Sequence, residues 1–399
     1  MKVALSRLLG GMLLVAGCCI GAGMLALPVL TGLAGFVPST IALFIAWGFM
    51  IFTALLLVEI NGWFTGKVNL LSMVGASLGR TGRQICWVSY LFLFYALLVA
   101  YTAASGSILS SVGSNFFGAA LPPAVCSLGF ALFFGVIVYF GTRPVDLINR
   151  WLMVGLIVSY LAMVALGLPK IEPSQLLYSK PSAAFLALPV LVISFGFHNI
   201  IPSLTHYMHG DLQSVRRAIL GGSLLALFIY LLWTLFVLGI VPEPMLEEAY
   251  QNGEEATVSV QKILGSSVIG SFAQSFAFFA IVTSFLAQGL SLVHFIADGL
   301  KATSKSHREN GWIALCAIAP PAVLAIVYPA LFFKALNFAG GICAVILFAI
   351  LPILMSWIGR YKKKISSPYV AFGGKLLLVI AFAFALLIIT REVIRIFQF

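Results

Sequence analysis

Two apolar segments of membrane length are each broken in the middle, and the breaks open the two halves of the chain. The first runs Gly17-Cys18-Cys19-Ile20-Gly21-Ala22-Gly23-Met24-Leu25-Ala26-Leu27-Pro28, the second Ile193-Ser194-Phe195-Gly196-Phe197-His198-Asn199-Ile200-Ile201-Pro202. Glycine is a poor helix former, and proline removes a backbone donor and crowds the preceding turn. In hydrocarbon an unpaired peptide group costs several kcal/mol, so such breaks persist only where they line a cavity that satisfies them. A matching pair of breaks points to the central site of a secondary transporter.

Composition sets the class: 61% hydrophobic and 9% charged residues over 399 positions describe an all-α polytopic membrane protein. Cutting at turns and charge clusters leaves about eleven spans, at 6–30, 37–60, 85–111, 121–141, 147–168, 183–208, 218–241, 266–297, 310–328, 335–358 and 369–395. Spans one to five and six to ten then form the halves of a single membrane domain over 1–399. These are inverted repeats at about 6–168 and 183–358, with 369–395 as an additional helix. Each half has an odd number of spans, so the second crosses the membrane upside down relative to the first.

The net charge of +11 is not a nucleic-acid signature once its distribution is laid on the spans. Seventeen of the 23 basic residues fall on one side: Lys2, Arg7, Lys67, Arg80, Arg83, Arg143, Arg150, Arg216, Arg217, Lys301, Lys305, Arg308, the run Arg360 to Lys364, and Lys375. Lys170, Lys180, Lys262, Lys334, Arg391 and Arg395 fall on the other. The positive-inside rule puts the N-terminus in the cytoplasm and, with an odd number of spans, the C-terminus outside. The loop carrying Glu243, Glu247, Glu248, Glu254 and Glu255 then faces outward. A bacterial cytoplasmic (inner) membrane and its lipid are the implied setting.

Cys18, Cys19, Cys86, Cys126, Cys316 and Cys343 all lie in apolar segments without metal-ligand spacing, and read as small packing residues. Lys2 and Arg7 before Val15-Ala16-Gly17-Cys18 imitate a lipoprotein signal, but the apolar run continues to Leu30, so no cleavage is expected.

Depth arithmetic lets the breaks meet. Gly21 lies about fifteen residues from the start of its span and His198 about fifteen from its own, each roughly 22 Å along the axis and near the midplane. Thr283-Ser284 reach similar depth on span eight, and Tyr95 and Tyr101 sit mid-way along span three. Free N–H groups at a half-helix start suit a carboxylate, and free carbonyls at a half-helix end suit an ammonium group or Na⁺. The Gly21-Ala22-Gly23 backbone is therefore assigned to a substrate carboxylate, and carbonyls around Cys18, Cys19, Phe195 and Gly196 to its amine, with Ile20 between them.

The residues resemble the hydroxy and aromatic amino acid permease family of the amino acid–polyamine–organocation superfamily. The resemblance rests on Ile20-Gly21-Ala22-Gly23-Met24-Leu25-Ala26-Leu27-Pro28, on Leu57-Val58-Glu59-Ile60-Asn61, on Ser194-Phe195-Gly196-Phe197-His198 with Ile201-Pro202-Ser203-Leu204, and on Ala297-Asp298-Gly299. It covers nearly the whole chain and is nearest to the tyrosine- and tryptophan-specific bacterial permeases. It implies a LeuT-type fold of five plus five helices, with helices one and six broken at the midplane. It also implies import of an aromatic amino acid, tyrosine or tryptophan, driven by a cation gradient that is usually the proton. His294 stands where the family tends to carry an acidic residue, four positions before Asp298. Thr283-Ser284 fall where sodium-coupled relatives place hydroxyl ligands, so sodium stays open as the coupling ion, as does another neutral amino acid as substrate.

Among single side chains His198 is an ionisable group at depth, and its alternatives are lining the site or satisfying its own broken helix. Glu59, some twenty-two residues into span two and so near the cytoplasmic face, reads as an interfacial pairing residue with coupling or inner gating as its alternative, and the same holds for Asp298 and His294. Phe195, Phe197, Tyr95 and Tyr101 are the rings placed to meet an aromatic substrate. An enzyme or ATP-driven pump lacks parts here: there is no H-E-x-x-H or P-loop motif, and no cofactor is implied. A channel would need a filter of symmetric subunits or a charged ring, which nothing in the chain suggests.

Overall fold

The computed structural model describes residues 5–64, 66, 68–117, 121–264, 268–299 and 307–397, with residues 22, 114–117 and 307–310 through their backbone alone. Lys2, Lys67, Lys301 and Lys305 of the charge analysis lie outside the described residues. The chain forms helices α1 (Leu5–Cys19), α2 (Ala22–Gly32), α3 (Phe36–Asn61), α4 (Leu70–Phe117), α5 (Pro123–Tyr139) and α6 (Thr142–Gly167). It continues through α7 (Ala184–Ser194), α8 (Ile201–Tyr207), α9 (Leu212–Ile240), α10 (Glu243–Asn252), α11 (Ala256–Leu264) and α12 (Val268–Gly299). Helix α13 (His307–Val327), a long α14 (Leu331–Lys362) and α15 (Gly374–Phe397) complete it.

Among the described residues eight helical stretches are long and apolar enough to cross a membrane, or nine with the bent pair α1 and α2 taken as one span, and Pro123–Tyr139 and Gly311–Val327 are shorter apolar helices. The sequence cuts agree with these elements, with three differences. Helix α4 begins at Leu70, turned at Gly79, whose φ of 76° is open to glycine at no steric cost. The acidic loop is built, folding into α10 and α11. Helix α14 starts earlier than expected and contains wide π-helical turns at Ala339–Ala344, Ile346–Ile350 and Ile358–Lys362.

Two packing groups emerge. Helices α1, α2, α3, α7 and α9 pack on one another, while α4, α5, α12 and α13 form a second group, with α6 laid along α12 and α14 bridging α4 and α7. Between apolar helices in lipid the driving force is close packing, so small residues mark the seams. A side chain at Gly222 would run into Met12 and Val15, and one at Gly340 into the Pro189 backbone.

Proline inside helices leaves carbonyls without their i+4 donor, and long-range side chains supply the missing bond. Pro28 removes the donor for Met24, whose carbonyl accepts from Trp233 Nε1 at 2.8 Å. Pro320 removes the donor for Cys316, whose carbonyl accepts from the Tyr95 hydroxyl at 2.8 Å.

Candidate functional site

Both predicted breaks are present. Helix α1 ends at Cys19 and α2 starts at Ala22 with a bend of 58°, Gly21 lying extended between them at φ −156°. Helix α7 ends at Ser194, and three residues intervene before a single 3₁₀ turn over His198–Ile200 leads into α8. The first helical bond after the first break is Met24 N–H to Gly21 O at 2.9 Å, so the amides of residues 21 to 23 begin the helix without intrahelical acceptors.

A cavity of about 190 Å³ lies against both breaks. It gathers Cys18, Cys19, Ile20, Gly21 and Gly23 from the first, Ser194, Gly196 and Asn199 from the second, Tyr101 from α4, and Thr283 and Ser284 from α12. The two groups of helices meet closely at Gly21, where a Cβ would lie 2.8 Å from Ser284 Oγ; within the first group, a Cβ at Gly23 would lie 2.9 Å from Ser194 Oγ. Tyr101 reaches Ser284 with its hydroxyl. Thr283 turns its hydroxyl back on its own helix, donating to the carbonyls of Phe279 (2.9 Å) and Ala280 (3.1 Å).

Several residues singled out from the sequence stand elsewhere. Tyr95 is engaged with Cys316, as above, and does not line the cavity. Phe195 is fully buried with its ring edge-on to Tyr230 at 5.2 Å. Phe197 and Phe348 sandwich His198, at ring distances of 5.2 and 5.1 Å, so the imidazole is walled off from the cavity by Phe348. The Thr53 hydroxyl lies 2.9 Å from His198 Nε2 and donates to the Met50 carbonyl at 3.1 Å, which assigns the imidazole proton to Nε2. His294 and Asp298 are exposed on the last turns of α12. The side chain of Ala22 lies outside what the structure describes.

Glu59 is paired. Its carboxylate accepts from both Nε and a terminal nitrogen of Arg360 and from the Ala371 amide at 2.8 Å, while Arg360 also donates to the Ala371 carbonyl at 2.9 Å. The fork of Arg360 and a backbone amide thus compensate a carboxylate only 1% exposed. The same contacts fasten the segment after α14 to the end of α3.

Sequence reasoning missed two sets of residues. Tyr90, Phe94 and Phe348 supply the rings of the cavity, and Asn149, Met153 and Gln288 extend it along α6 and α12 away from α10 and α11. The other is Tyr230, fully buried, whose hydroxyl lies 2.5 Å from the Cys19 carbonyl and 2.8 Å from the Ser194 carbonyl. These are the last carbonyls of α1 and α7, the groups freed by the two breaks. A signal existed in span seven, where Ser223, Tyr230 and Thr234 repeat at helical spacing on one face.

Helices α10 and α11 pack on α2, and Leu246 fills the space beside Gly32. Ser111 joins Gln261 of α11 at 3.2 Å to Gln274 of α12 at 3.0 Å.

Residues 5–392 match the tryptophan/tyrosine permease family. The chain belongs to that family. It is 34% identical to the tyrosine-specific transport system 1 of Haemophilus influenzae over 392 residues, covering 96% of each chain. It is 30% identical to the tryptophan-specific transport protein of Pseudomonas aeruginosa over 387 residues, covering 94% of this chain and 92% of that one. Among solved structures it is similar to MhsT, crystallised in complex with L-phenylalanine, with a TM-score of 0.61 at 13% identity and coverage of 97% and 98%. The fold is therefore the LeuT type expected from the sequence, and the relatives are named as transporters and permeases.

Proposed function

We propose that this permease imports tyrosine across the bacterial cytoplasmic membrane by symport with a proton, through alternating access. The observation that carries the reading is a cavity bounded at once by both helix breaks and by aromatic rings. Amides at the start of α2 suit the substrate carboxylate, carbonyls at the ends of α1 and α7 suit its ammonium group, and Tyr90, Phe94, Tyr101 and Phe348 offer faces and edges to its ring. The named substrates of the relatives, tyrosine and tryptophan, fit that division of polar and aromatic surface.

In this reading the inverted repeats are about 6–168 and 183–358, the N-terminus is cytoplasmic and the C-terminus external, as the basic residues suggest. The cavity then extends toward the cytoplasm past Asn149 and Gln288 while α10 and α11 cover the outside, so the conformation is inward-facing.

The test is uptake of radiolabelled tyrosine and tryptophan into proteoliposomes under separately imposed proton and sodium gradients. Proton-driven accumulation with tyrosine preferred supports the reading. Accumulation that needs sodium overturns the coupling ion, preference for tryptophan overturns the substrate, and failure to concentrate either amino acid overturns both.

A further inference from the structure

The breaks leave two carbonyls facing one another across a single side chain. In continuous helices Cys19 O would accept from residue 23 and Ser194 O from residue 198; both bonds are gone, and Tyr230 OH stands 2.5 and 2.8 Å from the two oxygens. Each is the end of a helix, where the macrodipole concentrates about half a negative charge. The phenol is fully buried, with its ring held by Phe195. A hydroxyl carries one proton, which two carbonyls can share only as a weaker three-centre bond. Two negative helix ends therefore share one donor, and the second carbonyl is left to be satisfied by something else. Cys19 and Ser194 both border the cavity, so a donor arriving there can reach the pair.

We infer that Tyr230 is a positioning residue for the transport cycle: its hydroxyl ties the carboxyl ends of α1 and α7 together when the carrier returns unloaded, and the substrate's ammonium group takes over one of the two carbonyls when the carrier is loaded. This rests on the assignment of the cavity to an amino acid. The link consists of protein atoms alone, so it is available without substrate. An ammonium group brings three donors and a full positive charge to the same place, and so relieves what one phenol proton cannot. With the phenol present it donates to the other carbonyl; without it the three donors of the ammonium group serve both oxygens, so the loaded carrier tolerates the loss of the hydroxyl.

The consequence separates two modes of transport in one protein. Exchange of substrate for substrate never passes through the unloaded carrier; net uptake must. In proteoliposomes, Tyr230→Phe keeps the ring and removes only the hydroxyl. It is expected to hold tyrosine exchange within about threefold of wild type while net uptake falls by about tenfold, the measure of one hydrogen bond. Trp233→Phe is the structural control: it removes the Trp233 bond to the Met24 carbonyl, one helical turn away, and is expected to change both modes equally. A parallel fall of both modes in Tyr230→Phe, or no change in either, overturns the inference.

A second measurement uses the unmodified protein. Tyrosine preloaded inside the vesicles should accelerate uptake, because the loaded return avoids the Tyr230 step. Preloaded 3-(4-hydroxyphenyl)propanoate, which lacks the amine, should leave uptake at the net rate. Equal acceleration by both overturns the role given to the ammonium group. If wild type neither accumulates nor exchanges tyrosine or tryptophan, it is the substrate assignment that fails, not the role of Tyr230.

Discussion

His198 and Phe348 lie face to face, with ring centroids 5.1 Å apart and planes 13° from parallel. Phe348 forms part of the cavity wall, so the imidazole supports the wall from behind. Phe197 covers its other face, and its Nε2 is engaged with Thr53. An imidazole between two apolar rings, with no carboxylate among its described partners, serves as a neutral spacer. Replacement by Gln should lose the stack, worth about 1 kcal/mol, and raise the KM for tyrosine by roughly fivefold. The pH profile of uptake should stay where it is; a profile displaced by the substitution would show instead that His198 titrates during the cycle.

Gly21 is a close-approach position. Ser284 Oγ would lie 2.8 Å from a Cβ placed there, which is closer than real Cβ contacts come. The obstacle is the end of a short side chain, so Ala should be tolerated at a cost of about 1–3 kcal/mol, seen as roughly tenfold slower uptake. Leu should abolish uptake without preventing membrane insertion. Combining Gly21→Ala with Ser284→Ala removes the obstructing oxygen and should restore most of the rate. Uptake per inserted protein measures all three, and normal transport by the Leu variant would remove the first break from the substrate site.

What could be read from the chain and what could not divide along physical lines. The breaks at Gly21 and Gly196 were legible because glycine and proline leave their mark on local backbone preference, and that preference acts within a few residues. The partners that make the breaks tolerable were not. Tyr230 meets Cys19 across 211 residues, Trp233 meets Met24 across 209, and Tyr95 meets Cys316 across 221. Each pair is decided by helix packing, which no single segment encodes. Tyr95 illustrates the limit: its depth made it a candidate for the substrate, yet Pro320 created a carbonyl in α13 that claimed its hydroxyl. His198 shows the same for an ionisable group, since its position on the break was legible and its enclosure by Phe348 of α14 was not.

Glu59 was read from its depth as an interfacial pairing residue before a coupling one, and its pairing with Arg360 sets the expectation. The carboxylate is 1% exposed and the guanidinium 9%, so removing one partner leaves the other buried and uncompensated. Glu59→Gln should destabilise the protein by about 3–5 kcal/mol. Exchanging both partners together, as Glu59→Gln with Arg360→Met, should recover much of that loss, because no lone charge remains. Thermal unfolding of the purified protein in detergent gives the comparison. A Glu59→Gln variant of unchanged stability that transports without responding to the proton gradient would return Glu59 to the coupling role.

Glu255 should make the lid that α10 and α11 form over α2 sensitive to pH. It precedes α11, is fully buried, and accepts from the Thr257 amide at 2.7 Å and the Thr257 hydroxyl at 2.7 and 2.8 Å. Its neighbour Glu254 pairs with Lys262 at 2.7 Å, which leaves that cation engaged elsewhere. Burial pushes the Glu255 carboxyl up from 4.5 to about 7, against the Thr257 bonds that lower it. Folding therefore favours the protonated form: this contribution is complete below the unfolded value of 4.5 and is lost as pH rises through about 7. The loss amounts to at most about 3 kcal/mol. Hydrogen exchange of the α11 amides, corrected for intrinsic rates, should show protection falling between about pH 6 and about pH 8. Glu255→Gln, neutral throughout, should hold its protection level across the same interval. Equal pH dependence in the two proteins would mean that the lid opens for another reason, with Glu255 ionised at its usual value and held by Thr257 alone.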